Sequence, residues 1–219
     1  MIAGVRLVDL SHVVEHGMVT YPGLPEPQIG EHLSFEASKD HYAAGTEFAI
    51  GQISMVANTG TYLDTPAHRF RDGHDLSALS LAQCVDLPAV VVDGDGAIGP
   101  EAFSGVAVTG KAVVLRTRWD RHWGTDRYGA PVHPHLTGEG AKVLVEREAV
   151  LVGIDSVNID DTTTGERPAH TILLSAGIPI VEHLTGLADL PATGARFTAV
   201  PPAVRGLATF PVRAFAQVP

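Results

Sequence analysis

Three short apolar runs constrain the fold more than any other feature of this chain. Ala89–Asp93 (AVVVD), Ala112–Thr117 (AVVLRT) and Ala149–Asp155 (AVLVGID) are of strand length and carry no polar alternation. A strand wet on one face alternates, so a continuous run reads as a central strand covered on both faces. Between the second and third runs, Thr137–Glu148 carries helix marks: Thr137 as N-cap, Glu139 in the first turn, and Ala141, Leu144 and Val145 on one face. Strand, helix, strand in that order gives the middle of the chain a β–α–β sense and an α/β class.

The flanks add shorter elements. Val5–Leu10 reads as a strand, and Tyr21-Pro22-Gly23-Leu24-Pro25 as a rigid turn region. Leu33–Tyr42 is polar and mixed, Gln52–Ala57 reads as a short buried strand, and Asn58–Thr61 as its break. Leu76–Leu81 predicts a short helix, and Gly99–Phe103 a helix start with Pro100 and Glu101 in the first turn. Ala169–Ala176 carries His170 in a helix-like run, Ile178–Glu182 is a buried strand ending in a carboxylate, and Phe197–Ala203 and Thr209–Ala216 supply two last strands. At 219 residues, with no repeat or low-complexity segment, one domain over 1–219 is expected.

Charge and composition exclude several classes of function. A net charge of −10, with 15 basic residues and no basic block, argues against nucleic acid. No apolar run approaches the roughly 20 residues of a membrane span. Met1–His12 lacks the basic start and long apolar core of a signal peptide, so a cytoplasmic protein is expected. The single cysteine, Cys84, lies in an apolar stretch and reads as a buried, inert thiol. Eleven histidines beside it mean that any metal site draws on His and carboxylate.

The stretch Met55–Phe70 (MVANTGTYLDTPAHRF) places Asn58, Tyr62, Asp64 and His68 where a turn and a short following segment can aim them into one cleft. It resembles the signature H-T-G-T-H-x-D-x-P-x-H of the cyclase-like metal-dependent hydrolases, the family that includes bacterial kynurenine formamidase and isatin hydrolase. Thr59, Gly60, Thr61, Asp64, Pro66 and His68 match, whereas Asn58 and Tyr62 stand where the family has two ligand histidines. The resemblance continues through Gly153-Ile154-Asp155, His170, Gly177–Glu182 and Pro211–Ala214. It implies a swivelling β/β/α fold with a mixed, barrel-like central sheet, and a homodimer or larger homo-oligomer.

The resemblance also implies roles. Asp64, His170 and Glu182 correspond to metal ligands, and His68 to the proton shuttle. One His and two carboxylates suffice for a site in which water completes a metal shell, so one Mn²⁺ or Zn²⁺ is the cofactor expected, and no organic one. Asn58 offers only a neutral carbonyl oxygen, and Tyr62, with a phenol pKa near 10, ligates poorly, which argues against a second metal. The activity implied is hydrolytic opening of a small cyclic or aryl amide, imide or ester by a water that metal or His68 activates. Two alternatives stay open: a metal-free cyclase or lyase using His68 and Tyr62 in acid–base chemistry, and a non-catalytic small-molecule-binding homologue. Asn58, Arg69, Trp119 and Asp161 are candidate substrate contacts. The aromatic loop Trp119–His135 is a candidate site-lining or subunit-contact segment.

Overall fold

The computed structural model describes residues 4–219. Its strands in chain order are β1 (Arg6–Asp9), β2 (Gln28–Leu33), β3 (Ile50–Ser54), β4 (Tyr62–Asp64), β5 (Leu87–Asp93), β6 (Ala97–Ile98) and β7 (Ala112–Arg116). They continue with β8 (His135–Leu136), β9 (Leu151–Ile154), β10 (Ile180–Glu182), β11 (Thr193–Thr198), β12 (Thr209–Pro211) and β13 (Phe215–Val218). The helices are α1 (Phe35–Ser38), α2 (Gly138–Glu146) and α3 (Pro168–Ser175). No helix among the described residues is long and apolar enough to cross a membrane.

Nine strands form one mixed sheet in the order β1-β13-β11-β5-β7-β9-β10-β4-β12. The three apolar runs are its parallel centre, β5, β7 and β9, with β10 parallel beside them. The strands outside are antiparallel. On one face, α2 and α3 cover a core of Val113, Leu115, Val152, Ile154 and Ile180. On the other, Val8 of β1 and Leu63 of β4 share a single buried cluster although they lie near opposite ends of the strand order. With strands about 4.8 Å apart, a flat sheet could not bring them together, so the sheet curls. Backbone bonds hold the curl, Leu10 N–H donating to the Ala214 carbonyl and Thr185 N–H to the Leu10 carbonyl. The mixed, barrel-like α/β sheet expected from the resemblance is the one present.

Several local expectations change. The segment before the signature is not a buried strand: β3 is exposed along its whole length and pairs only with β2 in a separate two-stranded ribbon. Its apolar residues made it look like core, yet Ile29, Ile50 and Ile53 remain 43–49% exposed. The polar stretch Leu33–Tyr42 contains the single turn α1, capped by Ser34. Leu76–Leu81 is not one helix but two 3-10 turns, Leu76–Ala78 and Leu81–Gln83, each opened by a capping side chain, Asp75 and Ser80. The C-terminal part holds three strands rather than two, because β12 ends at Pro211, which interrupts a ladder. Cys84 is buried, and burial pushes its thiol up to about 11.

Candidate active site

Strand register builds the site. In β4 the residues alternate, so Leu63 enters the curled core while Tyr62 and Asp64 share the helix-covered face. Tyr62 lies directly opposite Glu182 of β10, and its hydroxyl donates to Glu182 Oε2 at 2.7 Å. Asp64 lies opposite Thr209 of β12, whose hydroxyl donates a short hydrogen bond to Asp64 Oδ1. The turn that feeds β4 is held by its own polar groups: Gly60 has a φ of 65°, its N–H donates to Thr20 Oγ1, and Thr61 donates to the His183 carbonyl. Thr59 donates to the Val56 carbonyl. The threonines of the signature are thus anchors of the turn.

His170 enters from the first turns of α3. That helix starts at Pro168 with no side-chain cap from Arg167. Asp160 supplies the cap instead, accepting from Ala169 N–H at 2.6 Å and His170 N–H at 3.0 Å. The same carboxylate accepts from His170 Nδ1 at 2.6 Å. With Nδ1 committed, His170 presents Nε2 to the site, 3.8 Å from both Asp64 Oδ2 and Glu182 Oε1.

His68 closes the group from the 3-10 turn Pro66–His68. Its Nδ1 lies 3.1 Å from Thr209 Oγ1. The Thr209 proton goes to Asp64, which as a carboxylate can only accept. His68 Nδ1 must then be the donor to Thr209, and Nε2 is left as the basic nitrogen. This tautomer is the one a general base needs.

A cleft of about 350 Å³ is lined by Asn58, Tyr62, His68, Arg69, His170 and Glu182, with Tyr21, Leu24, Asn158 and Arg167 at its sides. Two of the expected substrate contacts do not line it. Trp119 is buried, its indole N–H donating to the Tyr128 carbonyl at 2.9 Å. Asp161 accepts from the N–H and hydroxyl of Thr163, a local turn that Arg167 braces. The loop histidines His133 and His135 also stand apart, His133 bonding Ser156 and Thr162.

The electrostatics separate the carboxylates. Burial would raise Asp64, but the nearby His170 and His68 imidazoles and the Thr209 hydroxyl lower it. Glu182 goes the other way, raised by burial and by the Asp64 charge. Burial alone would depress His170; Glu182, Asp160 and Asp64 outweigh it and hold the imidazole up at about 10. The buried carboxyl groups of Asp64, Asp160 and Glu182 surround one imidazolium, which offsets only part of this acidic group.

The donor set fits a divalent cation. Asp64 Oδ2 is buried without a hydrogen-bond partner. Asp64, His68 and His170 each offer a ligand atom, all within 4.8 Å of one another. The Asp160–His170 bond is the carboxylate–imidazole support found behind metal-ligating histidines. Glu182 is not one of those three, though its Oε1 lies 3.8 Å from His170 Nε2; its oxygens accept from Tyr62 through Oε2 and from Ile159 N–H through Oε1 at 2.6 Å. An N–H occupies one lone pair of Oε1 and leaves another.

Thr209 and Asn158 escaped sequence reasoning as members of the site, and the sequence reads Asp160 only as a loop cap or a substrate contact, not as the support of His170. Asp160 offered a signal, an acidic residue just ahead of a helix that lacks its own cap; Thr209 offered none, since only cross-strand register brings it to Asp64.

The Cyclase family model, described as "Putative cyclase", matches residues 8–161. Kynurenine formamidase of Bacillus cereus is 28% identical over 180 residues, 81% of each chain. Isatin hydrolase A of Labrenzia aggregata, solved with benzyl benzoate, superposes with a TM-score of 0.84 at 25% identity, covering 98% of this chain and 94% of that one. A protein described as a potential metal-dependent hydrolase with cyclase activity shares the fold with a TM-score of 0.78 at 22% identity, covering 99% of each chain.

Proposed function

This chain belongs to the Cyclase family, and on that premise we propose that it is a hydrolase that opens a small cyclic or aryl amide, imide or ester. One observation carries the reading. Asp64 keeps a buried, unpartnered oxygen beside a histidine whose other nitrogen is fixed by a carboxylate, and a second histidine, His68, lines the same cleft. The similarity to kynurenine formamidase and isatin hydrolase A points to carbonyl substrates of this class.

In this reading Asp64, His170 and Glu182 would hold one divalent cation. When bound, it supplies Lewis acidity that polarises a carbonyl and lowers the pKa of water. The protein's own steps centre on His68. Its Nε2 accepts a proton as a water oxygen bonds to the carbonyl carbon. When the C–N or C–O bond breaks, the imidazolium returns that proton to the leaving nitrogen or oxygen. Thr209 and Asp64 keep the ring oriented and its Nδ1 protonated.

Asn58 and Arg69 border the cleft as substrate contacts, and Arg69 has no carboxylate partner among the described residues, unlike Arg116, Arg196 and Arg213. With Arg167 it suits a substrate bearing an anionic group. A homodimer is part of the proposal. The β2–β3 ribbon, exposed with Ile29, Phe48, Ile50 and Ile53 on its surface, is marginal alone in water and is the apolar face a second copy would cover. Sedimentation as a monomer would remove that part.

The test is metal content of tag-free protein after incubation with Mn²⁺ or Zn²⁺, followed by assay on isatin and aryl formamides. About one metal per chain, lost in Asp64→Ala, together with hydrolysis abolished by chelator and by His68→Ala, is the expected result. Turnover that survives chelation but not His68→Ala would favour metal-free acid–base chemistry instead.

A further inference from the structure

Two buried polar residues bonded in line with the cleft's Tyr62, His183 and Tyr128, are not used by the proposed reaction. His183 follows Glu182 directly, with a left-handed φ of 56°, and is fully buried among the rings of Tyr62, Trp123 and Tyr128. Its Nε2 is 3.3 Å from the Tyr62 hydroxyl, and its Nδ1 is 2.8 Å from the Tyr128 hydroxyl. Tyr128 comes from the aromatic loop and is itself held by Trp119, whose indole N–H bonds its carbonyl, and by the edge-on ring of Trp123.

Donor counting sets the direction of every bond. Glu182 Oε2 can only accept, so the single Tyr62 proton points to it. The Tyr62 oxygen must then accept from His183, which puts the imidazole proton on Nε2. His183 Nδ1 is left with a lone pair and accepts from Tyr128. The chain reads Tyr128 O–H to His183 Nδ1, His183 Nε2–H to Tyr62 O, and Tyr62 O–H to Glu182 Oε2. Reversing any link leaves two protons or two lone pairs facing one another.

We propose that His183 and Tyr128 are positioning residues which fix the Tyr62 hydroxyl as a donor to Glu182 Oε2, so that Glu182 offers only Oε1 to the cleft. Tyr62 then serves neither as a ligand nor as a free donor to a substrate carbonyl, because its only proton is committed. It converts a carboxylate with two available oxygens into a one-oxygen ligand. The loop from Trp119 to Tyr128 thereby reaches the site through His183. The consequence for cation binding rests on the proposed role of Glu182; the proton order along the chain does not.

Two readouts test it on the full-length protein. The ring ¹⁵N shifts of His183 at neutral pH, measured without metal, should show protonated Nε2 and bare Nδ1, and Tyr128→Phe should turn this into a tautomer mixture. Affinity for Mn²⁺ and Zn²⁺ by calorimetry should fall about 10- to 100-fold in Tyr62→Phe and several-fold in Tyr128→Phe. Tyr128→Phe added to Tyr62→Phe should cost nothing more, because Tyr128 acts only through Tyr62. A purely structural tyrosine would weaken both backgrounds equally, and that outcome, or a proton on His183 Nδ1 in the parent protein, overturns the proposal. If the parent protein takes up neither cation, the proposed cation site fails while the tautomer still decides this one.

Discussion

Thr209 is the smallest group on which the chemistry of the site turns. One hydroxyl bonds Asp64 and receives His68, so it fixes both a carboxylate and a tautomer. Thr209→Val keeps the shape and removes the hydroxyl. Asp64 Oδ1 then loses its partner, which should cost about 1–3 kcal/mol in chemical denaturation. Released from Thr209, the His68 ring can place its proton on either nitrogen, and kcat should fall at least tenfold with KM little changed. Thr209→Ser should restore both. Asp160 carries a second double role, as cap of α3 and support of His170. Asp160→Ala should lower stability by about 1 kcal/mol through the cap and weaken Zn²⁺ binding about 10- to 100-fold, measured by denaturation and calorimetry on the same sample.

At the scale of elements, β4 is three residues long and makes the site only because both neighbours are in register. A slip of one residue would turn Tyr62 and Asp64 into the core and Leu63 toward the cleft. The turn before it prevents the slip, and Gly60 is where that turn is least tolerant. A Cβ there would meet Val14 Cγ2 at 3.1 Å with φ at 65°. Gly60→Ala should therefore destabilise by about 1 kcal/mol or more and lower the melting temperature, with activity per folded molecule largely kept. The same strand shows what could be read beforehand. The buried parallel centre was legible because full burial leaves an unbroken apolar run, and α2 because Thr137 caps it, accepting from Gly140 N–H at 3.0 Å. β3 was misread, since an apolar strand whose partner is another exposed strand has the composition of core. Tyr62, Asp64, His68, His170 and Glu182 could be gathered from a motif and a spacing. Thr209, His183 and Tyr128 could not, because their roles depend on which strand lies beside which.

For the molecule as a whole, the buried histidines set opposing demands on pH. Burial drives His183 down to about 3 and His12 to about 4, both from 6.5. Their folded forms stay neutral while the unfolded chain takes up protons, so stability is complete above pH 6.5 and drains away as pH falls toward 4 and 3. Burial also raises Asp155, to about 6; its contribution is full below 3.8 and lost as pH rises through 6, which offsets one of the two histidines but not both. His170 has the opposite sign from His183. Held up at about 10 by its carboxylates, it contributes fully below 6.5 and loses that contribution as pH rises through 10. Metal-free protein should accordingly be most resistant to denaturant near pH 6–6.5 and weaken on either side. His183→Asn should flatten the acid limb, and His170→Gln the alkaline one. Zn²⁺ or Mn²⁺ should remove the alkaline limb from the parent protein as well, because a ligating imidazole is already neutral. Stability that still climbs between pH 6.5 and 8.5 in chelator would mean that His170 is not charged in the folded state, despite the three carboxyl groups beside it.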